Sequence, residues 1–147
     1  MLRSWQVWRR PKLWKKIFNL RRVIGNFGEW AAALYLRCHG HEIWARNWRC
    51  RAGEVDIIAF KESALLFVEV KTRVFFGTSV FSPFDAIGKR KTEHMHATAA
   101  QFLHEYRRDL QLRHLRRVRI DAVGISVFIA PSIFPLKIKL QHIEEAA

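Results

Sequence analysis

The sequence predicts an α/β domain built on a central mixed β-sheet flanked by helices. Two β-branched and aromatic runs, Gly53–Phe60 and Leu65–Arg73, flank the polar break Lys61–Ala64 and read as a β-hairpin. Helical patterns lie on both sides of these runs, at 26–39 and 85–106. Further strand-type runs follow at 118–130 and 136–143. The order is therefore helix, three strands, helix, strands. With 147 residues, half of them hydrophobic, the chain is long enough to bury one core of ordinary size.

The first 22 residues differ from the rest. They hold Arg3, Arg9, Arg10, Lys12, Lys15, Lys16, Arg21 and Arg22 and no acid, interleaved with Trp5, Trp8 and Trp14. The expected division is a basic, Trp-rich extension over 1–22 and a domain over 23–147. Pro11 is expected to separate a ragged start from a short helix, Lys12 to Leu20. Three readings stay open for this segment: an arm on nucleic acid, a helix on an anionic membrane surface, or tryptophans docked on the domain. The first domain helix is expected over Asn26 to His39, ended by Gly40. Asn26 followed by Glu29 imitates a capping box, so Glu29 reads either as a cap or as an acid aimed at a functional site.

His41 to Arg49 reads as a strand, with Arg46 and Asn47 near its end as either phosphate contacts or a polar edge. Arg49 to Gly53 form the turn into the hairpin. After Arg73, Gly77, Thr78 and Ser79 signal a loop beside the hairpin's end. There Phe75, Phe76 and Phe81 read as a lid or, more simply, as packing. Asp85 to Tyr106 is expected as a long helix with Ile87, Met95, Ala99, Phe102 and Leu103 inward. Lys89, Arg90 and Lys91 fall in its early turns and read either as phosphate contacts or as a solvated basic turn. His94 and His96, two apart, diverge on a helix and are not a metal pair. Arg107 to Arg117 reads as a basic connection.

The hairpin carries charge where strands buried on both faces should be apolar: Asp56 in the first, Glu69 and Lys71 in the second. Buried charges are costly unless paired, hydrated or bound to a metal. A turn centred on Glu62 and Ser63 sets Phe60 opposite Leu65, Ile58 opposite Phe67 and Asp56 opposite Glu69. Opposed Cβ atoms lie about 4.5–5.5 Å apart, so two carboxylates there repel unless a cation joins them. Mg²⁺ is typically held by one or two carboxylates, with water and substrate phosphate completing its shell. Lys71, two residues on, would stand beside such an ion, placed to orient or deprotonate a water. These residue types in this pattern point to hydrolysis of a phosphodiester.

Asp56, a gap, then Glu69-x-Lys71 resembles the PD-(D/E)XK nuclease pattern. More specifically, Gly28-Glu29, Gly53-Glu54-Val55-Asp56, Phe67-Val68-Glu69-Val70-Lys71-Thr72-Arg73 and Arg119-Ile120-Asp121-Ala122-Val123 resemble the bacterial YraN family, over roughly Val23 to Glu145. The resemblance implies a restriction-endonuclease-like fold, similar to archaeal Holliday junction resolvases. It implies an acid on the first helix, which Glu29 matches, and adds the Val70 backbone carbonyl as a metal ligand. Asp121 matches the family segment and reads as structural. Val55 departs from the short motif, where proline is frequent, without touching the chemistry.

The net charge of +13 favours phosphate polymers or anionic surfaces as partners. The expectation is a Mg²⁺- or Mn²⁺-dependent nuclease acting on DNA, including branched or structured DNA. Asp56, Glu69, Lys71 and Glu29 would be catalytic; Arg73, Arg46, Lys89, Arg90 and Lys91 would contact the nucleic acid. The alternative is a nucleic-acid-binding protein without turnover. A homodimer would suit a junction substrate, by analogy alone. Cys38 and Cys50 form no framework and suit a reducing cytosol, and no apolar run is long enough for stable membrane insertion.

Overall fold

The computed structural model describes residues 11–76, 89–129 and 136–146. Helix α1 (Pro11–Cys38) leads into strands β1 (Glu42–Cys50), β2 (Gly53–Lys61) and β3 (Ala64–Phe76). Helices α2 (Lys89–Glu105) and α3 (Arg107–Leu112) precede β4 (Arg117–Ile129) and β5 (Leu136–Ile143). The strands form one sheet in the order β1-β2-β3-β4-β5. Neighbours are antiparallel except β3 and β4, which run parallel for 13 paired positions, Ala64–Arg117 to Phe76–Ile129. The chain is thus α/β with a mixed sheet, and the parallel pair is joined through α2, as a parallel connection requires.

Each face of the sheet carries one apolar cluster, under α1 on one side and under α2 and α3 on the other. Ala32, Ala33 and Leu36 of α1 pack on Ile57, Ala59, Leu66, Val68, Val123 and Ile125. Met95, Ala99 and Phe102 of α2 pack on Ile58, Phe60, Leu65, Phe67 and Ile120. Phe102 is the hub of the second cluster, with Trp44, Trp48 and Phe67 edge-on to it at 5.1–5.7 Å and Tyr106 stacked at 4.5 Å.

Two expectations for the helices are corrected. The short helix and the first domain helix are one helix of 28 residues, starting at Pro11 and passing through Gly25 and Asn26 without a break. Asn26 lies mid-helix, so the capping-box reading of Asn26 and Glu29 does not hold. A Gly-Asn pair costs a helix only about 1 kcal/mol or a little more, and the packing of Ala32, Ala33 and Leu36 on the sheet outweighs it. Pro11 stands at the first helical position, where its missing N–H is no loss. The helix also crosses the charge boundary at Arg22 and Val23 uninterrupted. The basic connection at 107–117 contains α3, anchored by Leu110, which is 3% exposed. Beyond α3, the Arg113 guanidinium grips Glu42 of β1 through two hydrogen bonds of 2.7 and 3.0 Å and lies 4.8 Å over the Trp44 ring. That grip holds the Glu42 carboxyl below its ordinary pKa.

Gly28 fixes how closely α1 approaches β3. A Cβ there would sit 1.7 Å from Thr72 Oγ1. That hydroxyl oxygen is buried with no hydrogen-bond partner among the described residues. At the far end of the sheet, the fully buried Asp121 carboxylate accepts from Arg119 Nη2 at 2.7 Å and from the Glu145 N–H at 3.1 Å. His142 Nε2 lies 2.9 Å from it. This network ties β4 to β5 and the chain end, which is the structural role expected for Asp121.

Two outcomes follow for stability. Gly28→Ala should cost about 1–3 kcal/mol through overpacking against Thr72. Adding Thr72→Ala should recover part of that loss in urea unfolding, because the clashing oxygen is gone. Asp121→Ala should cost about 3–5 kcal/mol, since it removes the buried carboxylate that Arg119, His142 and the Glu145 N–H share and leaves Arg119 only the exposed Glu144. A thermal melt of that variant within a degree of the parent would exclude the network as a stabilising element.

Candidate active site

The hairpin register is the one the sequence implies, up to a point. Lys61 pairs with Ala64, Phe60 with Leu65, Ala59 with Leu66, Ile58 with Phe67 and Ile57 with Val68. The turn is Glu62–Ser63, with Glu62 at φ 56°. After Ile57–Val68 the backbone pairing of β2 and β3 stops, while β3 stays paired to β4 as far as Phe76. From Glu69 onward β3 therefore has one edge that β2 does not cover.

Asp56 occupies the point of divergence. Its Oδ2 accepts a hydrogen bond of 2.7 Å from the Val70 N–H. The carboxylate thus takes the place of a β2 carbonyl and lies against the peptide that joins Glu69 to Val70. In an extended strand the N–H and C=O of one residue point to the same side. The Val70 carbonyl therefore points toward the side from which Asp56 approaches.

Strict alternation along β2 does not hold here. Gly53 lies against Thr98 of α2, and Val55 belongs to the α2-side cluster with Ile58 and Phe60, whereas Ile57 and Ala59 belong to the α1 side. The facing pattern switches at Asp56. On β1, the pairs either side of this position are Arg46–Ile57 and Trp48–Val55, and the intervening Asn47 has φ 51°. The expectation that Asp56 continues the row of Phe60 and Ile58 to stand opposite Glu69 is corrected by this irregularity. Such local twists in a ladder re-aim a side chain.

Glu69 is 6% exposed, and Lys71 is half-buried. Their partners on β4 are Ala122 and Gly124, so the row beside the two charged groups is nearly free of side-chain bulk. A groove of about 800 Å³ runs between α1 and the end of β3, and Glu29, Val70, Lys71 and Arg73 line it together with Arg21. Phe75 lines it as well, buried and stacked on Phe128 at 5.2 Å, which makes it packing rather than a lid.

Glu29 reaches β1. Its Oε2 accepts from Asn47 Nδ2 at 2.9 Å and lies 4.0 Å from Arg46 Nη2. Arg46 is therefore drawn to an acid, and Asn47, which the sequence left as either a phosphate contact or a polar edge, is the residue that fastens Glu29. An asparagine inside an aromatic strand, a residue type that tolerates positive φ, was the available signal. Arg21 carried no such signal, because only the uninterrupted α1 brings it to the groove. Lys89, Arg90 and Lys91 begin α2, but their side chains, like Phe76, Phe81 and Ile87, lie outside the described residues. His94 and His96 are both exposed. Among the described residues no group of three or more His, Cys, Asp or Glu side chains is arranged to hold a metal.

Residues 28–125 match the family model described as Uncharacterised protein family UPF0102. This chain belongs to the UPF0102 family, the YraN family. The UPF0102 protein of Rhodococcus opacus is 38% identical over 124 residues, 84% of this chain and 95% of its own length. That of Beutenbergia cavernae is 39% identical over 105 residues, covering 70% of this chain and 81% of its own. A UPF0102 protein of Clostridium botulinum is 44% identical over 80 residues, 54% of this chain and 63% of its own. The matched segment opens at Gly28 and contains Glu29, Asp56, Glu69, Lys71 and Asp121, so every candidate acid of the site lies within what defines the UPF0102 chain.

The Asp56 hydrogen bond supplies a stability test. A bond from a backbone N–H to a carboxylate contributes about 1.5–3 kcal/mol. Asp56→Ala should lower stability by roughly that amount or somewhat less. The Val70 amide should then exchange with solvent faster than in the parent, as hydrogen exchange by NMR would read. An unchanged Val70 exchange rate would mean that the carboxylate does not hold this amide in solution.

Proposed function

We propose that this UPF0102 protein is a Mg²⁺- or Mn²⁺-dependent nuclease that hydrolyses DNA phosphodiesters in the groove between α1 and β3. One observation carries the reading. The Asp56 carboxylate sits at the point where β2 leaves β3, bonded to the Val70 N–H, with buried Glu69 on one side of that amide and Lys71 on the other. The element order, with a parallel fourth strand after a crossover helix, is consistent with the restriction-endonuclease-like fold that the family resemblance implies.

The donor set suits a hard, hydrated ion. It offers two carboxylates and a backbone carbonyl, all oxygen, which fits Mg²⁺ and does not fit zinc with its nitrogen and sulfur ligands. Asp56, Glu69 and the Val70 carbonyl would hold the ion. When bound, it supplies charge neutralisation at the phosphate and acidifies a coordinated water. Lys71, two residues beyond Glu69 on β3, would orient the attacking water or neutralise the oxyanion as the P–O bond to the leaving group breaks. Glu29, held by Asn47 on the groove wall, would direct a further water. Arg21 and Arg73 would draw the DNA backbone along the groove, with Arg46 and the Lys89–Lys91 turn as more distant phosphate contacts.

The high positive charge also suits a protein that binds nucleic acid without cutting it. The two readings separate in one experiment. Duplex, single-stranded, flap and four-way DNA, together with structured RNA, are incubated with Mg²⁺ or Mn²⁺. Lys71→Ala, Asp56→Asn and Glu69→Gln should each slow cleavage by about a hundredfold or more. Their affinity for DNA in EDTA should change little. Cleavage absent from every substrate with the parent protein would leave binding without turnover, and cleavage unchanged in all three variants would exclude Lys71, Asp56 and Glu69 as its source.

A further inference from the structure

We infer that the solvent face of α1 is a docking surface for an anionic lipid membrane. The observation is separate from the hydrolytic site. Leu20, Val23, Phe27, Trp30 and Leu34 are 60%, 64%, 40%, 54% and 45% exposed. Their spacing alternates between three and four residues, so they form one continuous stripe along the helix, about 21 Å long. Gly28, Ala32 and Leu36, which α1 turns to the sheet, lie on the other side. The sheet therefore stands behind the helix, and among the described residues nothing covers the stripe.

Charge decides the occupant. Helix α1 contains Lys12, Lys15, Lys16, Arg21, Arg22 and Arg37 and a single acid, Glu29, whose carboxylate is held by Asn47. An apolar stripe of Leu, Phe and Trp on a helix rich in Lys and Arg is the composition of a segment that lies in the membrane interface. Anionic lipid headgroups attract such bases, and the acyl boundary accepts the stripe. The same face of a second copy would bring its own bases against these, with Glu29 the single acid of the helix, so pairing two such faces is opposed by charge. Nucleic acid would satisfy the charge, but Leu20, Val23 and Leu34 give bases nothing to stack on. No helix among the described residues is long and apolar enough to cross a membrane, so the contact is peripheral.

The test is flotation of the full-length protein with vesicles of equal phosphatidylglycerol and phosphatidylcholine, and with vesicles of phosphatidylcholine alone. The parent should float with the anionic vesicles and not with the neutral ones. Phe27→Glu combined with Leu34→Glu should reduce that binding by at least about tenfold, because two charges replace apolar contacts with the acyl boundary. The melting temperature should stay unchanged, since both side chains are exposed. A parent protein that stays unbound to anionic vesicles overturns the proposal without any variant. So does a double variant that floats as well as the parent, which would make the binding a matter of charge alone. Three patterns would hand the stripe to another occupant and equally overturn the proposal. They are a parent dimer that the double variant dissociates in sedimentation, oligonucleotide affinity lost with vesicle binding absent, and a lowered melting temperature with no vesicle binding, which marks cover by the chain itself.

Discussion

The site depends on a mismatch in strand pairing. β3 is held by β4 over 13 positions, but β2 accompanies it only as far as Ile57–Val68. The parallel ladder keeps β3 straight and fully extended past the place where its other neighbour leaves. An edge left this way has N–H and C=O groups without strand partners, and a buried polar group without a partner is costly. Asp56 answers that cost at the first open amide, through its bond to the Val70 N–H. The same bond fixes the carboxylate beside Glu69. The feature that satisfies the backbone also sets an acidic oxygen against Val70, a residue that lines the groove.

The surroundings are arranged so that this divergence can occur. On one side, Gly28 lets α1 lie against Thr72 of β3, near enough that a methyl group would not fit. That approach sets the width of the groove lined by Glu29, Lys71 and Arg73. On the other side, Phe102 and its ring of aromatic partners hold α2 on the half of the hairpin that remains paired. Ala122 and Gly124 keep the β4 row beside Glu69 and Lys71 low. The positive φ of Asn47 turns its amide to Glu29, so β1 and α1 are joined at the level of Asp56. Gly28 of α1, the Asn47 dihedral of β1 and the small Ala122 and Gly124 of β4 together leave room beside the charged end of β3.

The two faces of α1 divide different work. The inner face is built from small residues that bring the helix close to the sheet, and the outer face from large apolar ones that nothing described covers. A helix with apolar residues on two sides is expected only where two surfaces are buried, one against the core and one against something else. The first half of the helix is rich in Lys and Arg, the composition that the membrane proposal draws on. The groove and the stripe lie on the same helix, separated by its diameter of about 10–12 Å.

Much of this was legible in the sequence, because the signals were local. The mixed α/β order followed from runs of period two and period 3.6, and the hairpin register from the position of one polar turn. Asp56, Glu69 and Lys71 stood out because charge interrupts strands that are otherwise apolar. Composition alone separated the basic segment from the rest. Tertiary contacts decided what remained. That α1 runs unbroken through Gly25 and Asn26 depends on packing energy that outweighs a weak local preference. That Asp56 bonds Val70, rather than simply facing Glu69, depends on where β2 stops pairing, which β4 determines from the far side of β3. That Glu29 answers to Asn47 rather than to the backbone of its own helix depends on a left-handed residue 18 positions away. Periodicity records which side of an element is apolar; it holds no information about which distant group will occupy the space in front of a charge.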